Sequence, residues 1–342
     1  MISLEIAGYR YVKFNQYRVK LQFDSVASTF SFNFYNDNSD ISKRLSKPGT
    51  YQSAVIKYDD ETLITGVVLS HGKSSEPSDQ YIGLGGYSNP GVLEDCQIPV
   101  SLYPLQTDGK TLRQITQRLI QPFNLSLKVS PLVGNRADKA ITVSTAENSE
   151  TIKSYISEIA YNRNLIFSHD EMGNLLLTKA DANAAVSYAF TKGFPSTQMT
   201  LDFNGQAMHS DITVMKQADD NGGNAGTASR KNPYVSVFRP MVRVLTSGDD
   251  IDINESASRA LANDLSNLKL TVRLDRWQLN GKLIRPNTVI SIQNEDLGIN
   301  KPTRFFVESV EFIGDEKSET VVLTCVLPEV YNWQTPKNIF DA

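Results

Sequence analysis

The sequence predicts a mainly β protein with α+β inserts, and three observations carry that reading. Strict period-two alternation recurs early. Tyr17, Val19, Leu21 and Phe23 are separated by Arg18, Lys20 and Gln22, and Phe30, Phe32 and Phe34 by Ser31 and Asn33. Such spacing gives a strand one apolar and one polar face. Near the other end, residues 270–327 read as three or four consecutive antiparallel strands, punctuated by Asn280-Gly281, Pro286-Asn287, Gly298 and a polar turn at 314–319. A meander of that length has to close or stack to protect its edges. Helical spacing is confined to a few short stretches between these regions.

The elements follow in order. Strands are expected at 3–6 and 9–14 around a Gly8 turn, then at 17–23 and 30–34. A polar loop at 36–49 precedes strands at 51–58, 63–70 and 80–84. This makes a first β-barrel or sandwich over 1–95, an ordinary domain size. Composition changes at 99–109. Leu112, Ile115, Leu119 and Ile120 then recur at helical spacing until Pro122 ends the helix. A strand at 125–129 follows. A second amphipathic helix is marked by Ile152, Tyr155, Ile156 and Ile159, with Ser149 as its cap. A hairpin joins 165–167 to 175–177. Residues 96–182 thus form a small α+β domain whose helices spend their apolar stripes on their own sheet.

Strands return at 188–190, 199–203 and 211–215. The tract 218–232, rich in Gly, Asn, Asp and Ser and bounded by Arg230 and Lys231, reads as disorder or as an interaction arm. A strand is expected over 234–245. Asp252, with Glu255 three residues on, then opens a helix lined by Ala257, Leu261, Leu265 and Leu268. Strands for a second β unit are thus found at 183–216 and 269–329, with 217–268 and 330–342 as peripheral segments. In its last strand Val322 is expected to face the core, so that a charge there prevents folding.

Composition narrows the function. The chain has 342 residues, enough for two to four domains, with 40% apolar and 21% charged residues and a net charge of −4. No run of about 18 apolar residues suggests a membrane span. The N-terminus lacks the basic start and apolar segment of a signal peptide. Cys96 and Cys325 are read as two buried thiols in a reducing compartment. The mild acidity argues against a protein that wraps nucleic acid.

Catalytic and metal-binding patterns are absent: His71, His169 and His209 stand apart, and none of the usual zinc, nucleophile or phosphate-loop motifs occurs. His169 is expected to be solvated in a hairpin turn. Gly83-Leu84-Gly85-Gly86-Tyr87 superficially suggests a phosphate loop, but turn residues rather than a helix follow it, so a strand-end turn is expected. The alternating acids at 249–255 lack the glycine and the bidentate acid of a calcium loop. No catalytic, cofactor or metal residue is therefore nominated, and the first inference is an assembly protein rather than an enzyme.

The order of features resembles the baseplate hub proteins of contractile-tailed bacteriophages, the Mu-like hub or tail proteins. Tyr17-Arg18-Val19 through Phe30-Ser31-Phe32 is similar to that family's opening hairpin. Gly86-Tyr87-Ser88 to Leu93-Glu94-Asp95-Cys96 is similar to its exit from the first barrel, and Thr111-Leu112 to Gln121-Pro122-Phe123 to its helix ending in a Pro-aromatic pair. Phe238-Arg239-Pro240-Met241 followed by Ser258-Arg259-Ala260, and then Trp277, Gly281, Pro286-Asn287 and Val289, complete the match. The helix after Arg259 departs from the family in lacking further arginines and a tryptophan.

The resemblance implies two tail-tube-like antiparallel β-barrels per chain. It implies a homotrimeric, pseudo-sixfold ring that joins the hexameric tail tube to the trimeric central spike. Baseplate wedge proteins, the tape-measure protein and DNA passing through the channel would be further partners. The protein would be a virion component assembled in the host cytoplasm, with no cofactor. Two other classes remain open at this point: a tail-associated cell-wall hydrolase, which needs a carboxylate pair, and a glycan- or receptor-binding β-protein. A hub of a bacteriocin-like tail or a secretion apparatus is a near relative of the first reading.

Overall fold

A computed structural model of the chain describes all residues except 38, 46, 75–79, 104, 106, 142–145, 147–148, 196–197, 218–222, 224, 246–251 and 342. The chain divides into two compact units, Met1–Lys179 with Glu311–Thr320, and Ala180–Val310 with Val321–Ala342.

In the first unit the alternating stretches become strands with one buried face. They are β1 (Ile2–Ile6), β2 (Tyr9–Tyr11), β3 (Gln16–Gln22), β4 (Thr29–Tyr35), β5 (Ser53–Tyr58), β6 (Glu61–Lys73) and β7 (Tyr81–Ser88). They pair in the order β3-β4-β7-β6-β5-β1-β2, all antiparallel. Val19, Phe32, Ile56, Ile64 and Val68 are fully buried along it. Each contributes about 1.5–3 kcal/mol by leaving water. The polar stretch before β5 holds a short helix, α1 (Asp40–Leu45), where a loop was expected. The Gly83–Tyr87 stretch forms the body of β7, not a turn. A Cβ on Gly86 would collide with the Val67 carbonyl and the Phe30 ring, and one on Gly66 with the Tyr87 carbonyl. The glycines thus permit close approach of neighbouring strands.

The same unit continues through α2 (Val92–Asp95), α3 (Leu112–Ile120), β8 (Leu127–Val129), α4 (Ile152–Tyr161), β9 (Ile166–His169) and β10 (Leu175–Thr178). Thr111 and Gln114 form a reciprocal capping box on α3, at 3.2 and 3.0 Å. The cap of α4 is Thr151, whose hydroxyl accepts from the Ser154 N–H at 3.2 Å. Ser149 was the expected cap, but it takes a left-handed φ of 70°. The β9–β10 hairpin forms as expected, and β8 adds to β10 in parallel. Leu112, Ile115, Leu119, Ile152, Tyr155 and Ile156 share one core with Phe167, Leu175 and Leu177. The helices do spend their apolar faces on their own sheet.

The second unit contains β11 (Val186–Thr191), β12 (Gln198–Phe203), β13 (Asp211–Lys216), β14 (Gly226–Lys231), β15 (Pro240–Leu245) and α5 (Ile253–Leu265). It continues with β16 (Leu268–Leu274), β17 (Gln278–Leu279), β18 (Lys282–Leu283), β19 (Thr288–Asn294), β20 (Ile299–Asp315), β21 (Glu319–Val326) and α6 (Glu329–Asn332), the β20–β21 tip, Glu311–Thr320, belonging to the first unit. Asn280 and Gly281, both at positive φ, make the expected tight turn between β17 and β18. The larger sheet runs β12-β16-β21-β20-β19-β11. It is not the simple meander expected, because β16 pairs with the last strand, β21, instead of with β19. β21 is thereby flanked by β16 and β20, a long-range pairing that the local turn signals do not encode.

The protein is mainly antiparallel β with a smaller α/β part, as the sequence predicts. Among the described residues the strand pairing is an open path in each unit, not a closed ring. A separate sheet, β14-β13-β15, takes in residues 211–215, which were expected in the second barrel. It also takes in Gly226–Lys231, expected as part of a flexible tract. Ala228 is the lone apolar residue in that strand, too faint a signal for alternation to reveal. Within the tract, 218–222 and 224 lie outside the described residues, as do 249–251 of the acidic stretch.

Candidate assembly surface

The three-stranded sheet is asymmetric from its residues upward. β13 lies between β14, antiparallel, and β15, parallel. Ile212 and Val214 are fully buried, and Ala228 and Leu245 nearly so, on the face that α5 covers with Ala257, Ala260, Leu261 and Leu265. Register sets Met241, Arg243 and Leu245 beside Ile212, Val214 and Lys216, and Val242 and Val244 beside Thr213 and Met215 on the opposite face. On that face Val242 and Val244 are 59% and 58% exposed. Val237 and Phe238, just before β15, are 62% and 82% exposed.

This segment is held firmly. The Arg239 guanidinium donates to the Met208 carbonyl at 3.0 Å and to the Gln206 carbonyl at 2.8 Å. The Arg239 main-chain N–H donates to Ser210 Oγ at 2.8 Å. Arg230, read as the boundary of a mobile tract, instead ties β14 to α5 through Ser258 Oγ at 3.1 Å and the Asn254 carbonyl at 3.2 Å. Asp252 caps α5, accepting from the Asn254 N–H at 2.8 Å. Arg259, buried on α5, lies 5.1 Å from the centre of the Trp333 ring. Tyr234 fastens the C-terminal segment: its hydroxyl donates to the Lys337 carbonyl at 3.2 Å and accepts from the Ile339 N–H at 3.3 Å. Burial pushes its pKa up to about 12.

The histidines are not brought together. The His169 ring is not solvated in a turn: its Nδ1 sits 3.2 Å from the Ser25 carbonyl, and burial holds its pKa below the ordinary value. His209 faces Asp264, and His71 lies in β6. Both cysteines are free thiols; Cys325 is buried, but Cys96 only half so. Among the described residues no group of three His, Cys, Asp or Glu is placed to hold a metal ion. Two open clefts lie among the described residues of the first unit, one of 570 Å³ beside Glu5 and Arg44 and one of 560 Å³ beside Lys73 and Asp315. Each is lined by a single carboxylate, and Glu5 is already paired with Lys57 at 2.9 Å. Among the described residues no helix is long and apolar enough to cross a membrane. Sequence reasoning missed the β15 surface because Val242 and Val244 look like core residues until the register is known.

The fold is that of phage tail proteins. The 43 kDa tail protein of prophage MuSo2 from Shewanella oneidensis superposes with a TM-score of 0.81 at 20% identity, over 96% of this chain and 99% of that one. A tail protein from Neisseria meningitidis MC58 gives 0.81 at 18% identity, over 98% of each. A type VI secretion component from E. coli, itself described as similar to the T4 tail proteins gp27 and gp5, gives 0.54 at 12% identity, over 95% of this chain and 76% of that one. More particularly, residues 90–179 match the second domain of gp44-like baseplate hub proteins. The chain is thus baseplate hub-like in this domain and phage-tail-like in fold, as its sequence motifs suggested. No curated protein matches the sequence.

Proposed function

We propose that this chain is the structural hub of a contractile tail baseplate. Three copies form a ring in which two similar β units per copy imitate sixfold symmetry. The ring joins the hexameric tail tube to the trimeric central spike and transmits the signal of sheath contraction without bond chemistry. The observation that supports this most is the tail-protein fold over almost the whole length, with a hub-type second domain inside it. Within this reading the domains are 1–95, 96–182, 183–216 with 269–329, and the peripheral 217–268 with 330–342, save that β13 (Asp211–Lys216) pairs with the peripheral strands. The tape-measure protein and DNA pass through the ring, wedge proteins surround it, and the particle is assembled in the bacterial cytoplasm before becoming part of the virion. The likeness to the type VI component favours one neighbouring reading, a hub of a related injection machine.

Light scattering on the purified chain tests the proposal. A mass three times the 38.0 kDa of one chain is expected. A monomer at every concentration, also with the spike protein present, overturns it.

A further inference from the structure

We propose that the β15 edge, with Val237, Phe238, Val242 and Val244, is the surface on which a second copy of this chain docks. The inference rests on the hub reading and deepens it by naming where the copies meet.

Three features of the surface point this way. Among the described residues β15 pairs with β13 alone, so its outer edge offers main-chain groups to another strand. The valines stand on the face that α5 does not cover, and Phe238 projects from a segment that Arg239 pins. An apolar row on an open edge invites association unless something covers it.

Charge identifies the occupant. The sheet carries Lys216, Arg230, Lys231 and Arg243 against a single acid, Asp211. The whole chain is net −4, so everything outside this sheet is more acidic still. The first unit gathers acid at one place: the β5–β6 turn exposes Asp60 and Glu61 beside Asp59, which holds the Met1 ammonium, and the β20–β21 tip exposes Asp315 and Glu316 with Lys317. Glu319 draws the two together, accepting from the Tyr17 hydroxyl at 3.3 Å and from the Tyr58 hydroxyl, next to Asp59 in the turn, at 3.5 Å. The Tyr58 pKa is raised by burial and then by Glu319 and Asp59, that of Tyr17 by burial and then by Glu319, with Asp315 adding to it. A basic, apolar edge on one copy and an acidic end on the next make a heterologous contact. Such contacts close into a ring when the rotation allows, and complementary charge fixes the register.

The experiment compares native mass, by light scattering at equal concentrations, for the wild-type chain and the double variant Val242→Lys/Val244→Lys. Thermal midpoint and circular dichroism are recorded for both. The expected result is a wild-type oligomer and a folded variant at the monomer mass, with the dissociation constant raised at least 100-fold. A variant that keeps the wild-type mass overturns the docking surface while leaving the hub reading standing. A variant that keeps its mass but no longer binds tube or spike protein also overturns it, because the surface then serves another partner. A monomeric wild type overturns both. Hydrogen exchange on the wild-type chain decides the case without any substitution. Amides of 237–245 should become protected as concentration rises, and unchanged exchange across the oligomerisation range contradicts the proposal.

Discussion

The carboxylate of Asp264, near the end of α5, accepts the His209 main-chain N–H at 2.6 Å and faces the His209 ring Nδ1 at 3.2 Å. This pair fixes the helix to the chain entering β13, and so holds the covered face of the three-stranded sheet in place. Asp264→Ala leaves the His209 N–H without its acceptor. We expect a loss of about 1–3 kcal/mol, read from urea unfolding. An unchanged midpoint would show that the pair does not anchor the helix.

Burial raises the Asp264 pKa above its ordinary 3.8, with the His209 contacts pulling the other way. The folded chain therefore holds this proton more tightly than the unfolded chain. The group adds stability as pH falls through its raised pKa toward 3.8, and at neutral pH its buried charge costs stability. Asp264→Asn keeps an acceptor but does not titrate. It should gain on the wild type at pH 7, and the gain should shrink on acidification. A gain that grows as pH falls would reverse the sign of this account.

Val322 and Leu323 separate the two faces of β21. Leu323 is fully buried, whereas Val322 is half-buried and paired in register with Arg273. The expectation that Val322 faces the core is corrected here, because the buried set is Val321, Leu323 and Cys325. Leu323→Asp should abolish soluble expression by burying a charge. Val322→Asp should fold, with its carboxylate opposite Arg273. Equal loss of soluble protein for both would contradict this facing.

Gly86 and Gly72 form a matched pair within one sheet. A Cβ at Gly86 has no room, while one at Gly72 meets nothing within 4 Å. Gly86→Ala should cost about 1–3 kcal/mol, the usual cost of overpacking, and Gly72→Ala should change the thermal midpoint little. Equal effects would remove close packing as the reason for the glycine run.

Local signals carried most of the fold. Alternation at Tyr17–Phe34 placed β3 and β4, helical spacing placed α3, α4 and α5, and Asn280-Gly281 placed a turn. What stayed hidden depended on partners distant in sequence. The pairing of β16 with β21 and the strand β14 follow from tertiary contacts that no local pattern encodes. The facing of Val322 was ambiguous because Val321, Val322 and Leu323 are all apolar, which leaves period two unreadable. The exposed β15 row was invisible for the same reason: a valine reads as core until its register with Thr213 and Met215 is known.

The claim at the centre of this account is that one chain with two β units makes a threefold particle that looks sixfold. Electron-microscopy class averages of the purified oligomer, viewed down its axis, test this most directly. The account predicts a ring of six similar lobes whose true rotational symmetry is three. A particle with twofold symmetry, or a ring without paired lobes, would contradict it.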